Sequence, residues 1–278
     1  MTASDARARF AALVAAPDEA LDLGYAALWL AAEEYPGLDV EAYASRFDTL
    51  AGAVAARPLP APPPLGRLLA LNAHLFDELG FHGNTEDYYD PRNSFLNEVL
   101  DRRTGIPITL AVVHLEVGWR LGLPLQGVGM PGHFLVGYYP PGEPPRYIDV
   151  FAGGAILTRD ECAARLSAQL GGFVPRAAHF APVGKRQILL RMLTNLKHIY
   201  AQQGDWERAL AAIERLLLLQ PDALAELRDR GLVHLHRGDL RACRRDLRRY
   251  LELAPQAPDA AAVEQHLAQA DNLWARRN

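Results

Sequence analysis

Two residues in the middle of this chain are of types that could work together as a base and its orienting acid. His133 precedes the run Phe134 to Tyr139, and Asp149 lies inside the run Tyr147 to Phe151. Both runs are short, rich in β-branched and aromatic residues and flanked by Pro and Gly, so they read as antiparallel strands. Residue 141, midway between His133 and Asp149, falls in the turn Pro140-Pro141-Gly142, and a hairpin folded there sets imidazole and carboxylate side by side. Such a pair is half of a nucleophilic site, and equally an ion pair that ties two strands together with no reaction.

A second concentration of polar groups precedes it. Asn84, Asp87, Tyr88, Asp90, Arg92 and Asn93 crowd one loop, which makes that loop the best place on the chain to bind a ligand or partner. The same residue types serve as turn formers and helix caps, and Asp90 or Ser94 is expected to cap the next helix. Cys162 and Cys243 fall in separate helical segments without CxxC spacing, and each reads as a small buried hydrophobe. His74, His82 and His114 with Asp87 have no metal-binding spacing of the HExxH kind, so neither zinc nor another cofactor is expected.

The elements that must position these groups follow from periodicity and punctuation. Residues 1–57 form a helical prefix, with Leu21, Tyr25, Leu28, Trp29 and Ala32 at helical spacing. Pro58 to Pro64 is a stiff connector, because proline lacks the amide hydrogen and restricts the residue before it. In the core, residues 65–181, a helix from Leu65 to about Leu79 precedes the polar loop, and Ile106 to Leu121 reads as a buried helix with Pro107 in its first turn and Gly122 at its end. Strands over Leu125 to Met130, Phe134 to Tyr139 and Tyr147 to Phe151 come next, then a helix from Thr158, with Glu161 completing a capping box, towards Leu170.

Residues 185–278 carry an internal repeat. Gly204 and Gly238, Asp205 and Asp239, and Pro221 and Pro255 are each 34 residues apart, the tetratricopeptide period. Leu193 recurs as Leu227 and the small Ala209 as Cys243, while His234 replaces Tyr200. Two such units leave apolar surface uncovered, so the helix after Pro258 is expected to act as a cap.

With these residues in hand, the chain resembles the bacterial SirB-type proteins, in which a transglutaminase-like domain precedes tetratricopeptide repeats. The likeness rests on Phe81-His82-Gly83-Asn84, Asp87 to Ser94, Gly105-Ile106-Pro107-Ile108-Thr109-Leu110-Ala111 and Pro131-Gly132-His133-Phe134. It implies an α+β fold: a papain/transglutaminase-like core with a helical prefix and an antiparallel sheet, followed by an α-helical tail. It also implies that His133 and Asp149 correspond to the histidine and aspartate of transglutaminase-like sites. In such cores a cysteine follows a glycine by two positions and precedes an alanine by four. Gly105 and Ala111 match that frame, which puts Pro107 at the cysteine position. Proline has neither a nucleophile nor an amide hydrogen. Thr109, two residues on, is rotated by about 200° around the helix axis, and Cys162 lies outside the motif.

A net charge of −4 argues against general attraction to nucleic acid or anionic lipid. Arg241, Arg244, Arg245, Arg248 and Arg249 form one helical stripe, a solvated face or a surface for an acidic partner. No run approaches the roughly 20 apolar residues of a membrane span, and the N-terminus lacks the pattern of a signal peptide, so a cytoplasmic address is expected. Two functions follow: a non-catalytic scaffolding or regulatory protein that binds a protein partner through its repeats, or an amide or ester hydrolase or acyl transferase that uses His133 and Asp149 with an altered nucleophile or activated water.

Overall fold

The computed structural model describes residues 2–169 and 171–277. Leu170, towards which the helix opening at Thr158 is expected to run, lies outside them, as do Met1 and Asn278 at the ends. Internal packing divides the chain into two units, Met1–Met192 and Leu193–Asn278. The division does not separate the helical prefix from the core, and it falls inside a helix that begins at Lys185.

The first unit starts with helices α1 (Ala3–Val14), α2 (Leu23–Glu34) and α3 (Val40–Ala55). Asp22 caps α2 by accepting the Tyr25 amide at 2.9 Å, and Asp39 caps α3 by accepting that of Ala42 at 3.0 Å. Helix α4 (Leu65–Asn72) continues as a π-helical turn, Ala73–Glu78. The short parallel pair β1 (His82–Gly83) and β2 (Thr104–Gly105) then encloses the polar loop, a 3-10 turn (Pro91–Ser94) and α5 (Leu96–Arg102).

Helix α6 (Pro107–Arg120) is the central element, buried around most of its circumference. Proline suits its first position, where an amide hydrogen would have no partner in the helix. Glu116 ties the prefix to it, accepting the Gly24 amide at 2.8 Å and a hydrogen bond from Arg120 at 2.6 Å.

A five-stranded antiparallel sheet follows: β3 (Leu125–Met130), β4 (His133–Tyr138), β5 (Arg146–Asp149), β6 (Ala155–Leu157) and β7 (Pro182–Val183), in the order β6-β5-β4-β3-β7. Strand β5 stops at Asp149, two residues before the expected end, because the Asp149 carbonyl accepts the amides of Ala152 and Gly154 and turns the chain. The register assigns side chains to faces. Leu125, Phe134, Val136, Tyr138 and Ile148 share one face, where Leu125 packs on Gly118 of α6 and Ile188 approaches Gly127. Val128, Met130, Leu135, Tyr147 and Leu157 share the other, covered by Cys162 and Leu166 of α7 (Arg159–Gln169) and by Phe180 of a 3-10 turn (Ala177–Phe180). Thr158 and Glu161 form the expected reciprocal cap at the start of α7.

Helix α8 (Lys185–Gln203) crosses the division, and the second unit continues with α9 (Trp206–Leu219), α10 (Leu224–His236), α11 (Leu240–Leu253) and α12 (Ala260–Arg277). The 34-residue period has a local cause. Gly204 and Gly238 adopt φ of +71° and +74°, the left-handed region that ends a helix with least strain in glycine. Asp205 and Asp239 then cap the next helix through the amides of Arg208 and Ala242 at 3.1 Å each. Helix α12 lays Val263 and Ala270 against Leu240, Cys243, Leu247 and Tyr250. Its Asp271 pairs with Arg244 and Arg248, while Arg245 pairs with Asp246 and Arg249 with Glu252, so much of the arginine stripe is neutralised within the unit.

Candidate functional site

His133 and Asp149 meet, but not in the register that their midpoint suggests. Val136 pairs with Ile148 and Gly137 with Tyr147, so the hairpin centres one residue later, at 142, and the same register carries Asp149 opposite Leu135. The imidazole reaches the carboxylate along the diagonal of one sheet face, its Nε2 at 3.0 Å from Oδ1. The same oxygen accepts the Ala152 amide at 3.1 Å. Burial opposes ionisation of Asp149, but the hydrogen bond and charge of His133 and the amides of Ala152 and Phe151 outweigh it and hold the carboxyl below its ordinary value. With Nε2–H donating to a carboxylate, Nδ1 is the imidazole nitrogen left to act as a base.

The surroundings of the pair decide what it can do. Met130, Leu135, Leu157, Leu166, Cys162 and Arg165 line the space beside it, about 10 Å³, enough for a single water at most. These belong to the α7 side of the sheet, whereas α6, which begins at Pro107, packs on the other face. Phe151 connects the two regions. Its ring lies edge to face with His133, centroids 6.3 Å apart, and covers Gly83, where a Cβ would fall 2.4 Å from the ring. Gly83 pairs with Gly105, two residues ahead of Pro107.

Neither substitute nucleophile is poised for attack. Thr109 is fully buried, and its hydroxyl bridges the carbonyls of Asn93 at 2.7 Å and Ile106 at 3.1 Å while accepting the Ile106 amide. Cys162 shares the cavity with His133 but makes no hydrogen bond to it among the described residues. Burial, with the nearby charge of Asp149, pushes its thiol up to about 12, so it stays protonated near neutrality.

The polar loop satisfies most of its groups internally. Asn84 donates to Asn93 at 3.1 Å, Asn93 donates to the carbonyls of Asp87 at 2.8 Å and Tyr88 at 3.3 Å, and the Asp87 amide donates to Asn84 at 2.9 Å. Asp90 caps the 3-10 turn through the Arg92 amide and is held by the guanidinium of Arg92 at 2.8 Å and that of Arg102 at 3.6 Å. Ser94 is buried without capping a helix. Asp87 and Tyr88 are the exposed members, with Arg92, whose guanidinium is already committed to Asp90. Tyr88 packs edge to face on Phe151, centroids 6.1 Å apart.

The other histidines do not converge. His114 is fully buried with Nε2 at 2.8 Å from Asn72 Oδ1, and burial pulls its pKa down to about 3. His74 pairs with Glu78 at 3.1 Å, and His82 Nδ1 contacts the Gly80 carbonyl. Among the described residues no group of three or more His, Cys, Asp or Glu is placed to hold a metal ion.

Phe151 escaped the sequence reading, and no signal pointed to it, since an aromatic at a strand end is ordinary.

Comparison with known proteins gives two family matches: a model described as transglutaminase-like superfamily over residues 41–194, and one described as tetratricopeptide repeat over residues 196–268. A UPF0162 protein of Xylella fastidiosa is 40% identical over 271 residues, 94% of each chain. A UPF0162 protein of Vibrio cholerae is 32% identical over 190 residues, 68% of this chain and 70% of the relative. F-box only protein 21 of Mus musculus is 33% identical over 179 residues, 61% of this chain but 28% of the relative. No solved structure matches the chain.

Proposed function

This chain belongs to the transglutaminase-like superfamily, with SirB-like UPF0162 proteins as full-length relatives, and from that membership we propose that it is a non-catalytic member that scaffolds or regulates a protein partner through its repeats. The observation that carries the reading is proline at position 107, where transglutaminase-like chemistry needs a thiol at a helix N-terminus. The confinement of His133 and Asp149 within the α7 face supports it, since a pair with room for one water has no space for an acyl substrate. In this reading the pair is structural and holds the start of β4 to the end of β5.

The repeat unit supplies the surface. Leu217, Leu224, Leu227 and Leu253 with Arg230 and Arg249 line a groove of about 530 Å³. The floor is apolar, and its rim carries Asp222 with Arg230 and Arg249, which pair with Asp246 and Glu252, so the groove suits the apolar face of an amphipathic segment of a partner. The net charge of −4 weighs against nucleic acid. Among the described residues no helix is long and apolar enough to cross a membrane, and a cytoplasmic site of action is part of the proposal.

One observation favours hydrolysis as a second reading: a histidine oriented by a carboxylate sits beside a space of about one water. A panel of amide and ester substrates, tested for hydrolysis and acyl transfer with wild type and His133→Ala, separates the two. No turnover above background is expected from either protein. Turnover by the wild type that disappears in the variant overturns the non-catalytic reading.

A further inference from the structure

A cavity of about 490 Å³ lies where the start of β5, the start of α7 and the 3-10 turn before β7 converge, wholly within the first unit. Its floor is aromatic: the buried rings of Tyr147 and Phe180 meet edge to face, centroids 5.2 Å apart. Pro144 and Pro145 form a stiff apolar side, and Arg146, Arg159 and Asp160, all exposed, line the opening. The Arg159 guanidinium sits 5.1 Å from the centroid of the Phe180 ring. A guanidinium held over a ring keeps its N–H donors for a ligand. Among the described residues neither Arg146 nor Arg159 pairs with a carboxylate or makes a hydrogen bond, and the Tyr147 hydroxyl makes none either. Glu161, next to Asp160 on α7, is taken up by the amide and hydroxyl of Thr158 at 2.7 and 2.8 Å.

We propose that this cavity binds a small aromatic carboxylate, with its charge at Arg146 and Arg159 and its ring against the prolines and the aromatic floor. Two guanidinium groups against the carboxylate of Asp160 leave a single positive charge in excess on the lining, which fits a monoanion. The planar guanidinium fork matches a planar carboxylate, whereas a phosphate dianion calls for more positive charge. The Tyr147 hydroxyl supplies a further donor at the floor. The volume lies within the range of small-molecule sites, about 300–1,000 Å³. Neither the repeats nor His133 and Asp149 line the cavity, so it stands or falls separately from the proposed function.

The test titrates the ¹⁵N-labelled full chain at neutral pH and constant ionic strength with benzoate, its neutral analogue benzamide, acetate, which lacks the ring, and inorganic phosphate. The signals followed are the Nε–Hε groups of Arg146 and Arg159 and the amides of Ala177 and Ala181. Saturable shifts are expected with benzoate, and weaker binding with each of the other three. Arg159→Leu keeps an apolar cover on Phe180 but removes the charge, and weakens benzoate binding about tenfold, as loss of a charge-assisted hydrogen bond predicts. Arg146→Gln keeps an amide donor without the charge and weakens it about threefold. Should the leucine variant fail to fold, the exposed Arg146→Gln carries the test. No saturable shift with benzoate, equal binding of benzamide, tighter binding of phosphate, or unchanged affinity in the folded variants overturns the assignment.

Discussion

Replacing Asp149 with alanine asks whether the His133–Asp149 pair holds the sheet together. Asp149 is 7% exposed, and its carboxylate accepts from His133 Nε2 at 3.0 Å and from the Ala152 amide at 3.1 Å. A hydrogen bond to a charged group contributes about 1.5–3 kcal/mol and an ordinary one about 1, while removing a buried charge returns part of that total. The expected net loss is ~2–3 kcal/mol. In a unit the size of Met1–Met192 this lowers the thermal midpoint by roughly 4–12 °C.

Asp149→Asn, which retains the shape and one acceptor, is expected to lose about half as much. Its pH dependence has a definite sign. The folded carboxyl titrates below its ordinary value of 3.8, so the stabilisation is fully present above that value and fades as pH falls through the folded one. The gap between wild type and Asp149→Asn, measured by denaturant unfolding, therefore closes on acidification below about pH 4. An alanine variant within about 0.5 kcal/mol of wild type, or a gap that widens in acid, refutes the structural role.

Three further substitutions or treatments probe the rest of the arrangement. Gly83→Ala places a Cβ 2.4 Å from the Phe151 ring and should destabilise the first unit by ~1–3 kcal/mol in urea titrations; a neutral effect contradicts the packing described. Asp239→Ala removes the cap of α11 and should cost about 1 kcal/mol, seen as faster amide exchange at its first turn, with unchanged exchange as the contrary result. Native Cys162, its thiol pushed up to about 12, should react with iodoacetamide at pH 8 roughly a thousandfold more slowly than in the denatured chain, as scored by peptide mass spectrometry. Comparable rates would mean that the thiol is accessible and active.

Where local chemistry decides the outcome, the amino-acid order alone was sufficient. Gly204 and Gly238 end helices because they tolerate positive φ, Asp205 and Asp239 start the next because their carboxylates accept the amides of Arg208 and Ala242 three residues on, and that yields the repeat. Pro107 opens α6, and Thr158 with Glu161 opens α7, for equally local reasons. The meeting of His133 with Asp149 was partly legible, because a hairpin is a short-range structure. Its register slipped by one in centre, as the turn and not the midpoint sets the pairing.

What only the tertiary structure decided are the contacts between elements far apart in the chain. Nothing local places Cys162 beside the pair, lays Phe151 over Gly83, or sets Arg191 above Phe134. Those outcomes depend on how the two faces of one sheet are shared among α6, α7 and α8. Packing selects that arrangement from the whole set of buried surfaces at once, and no window of neighbouring residues contains it.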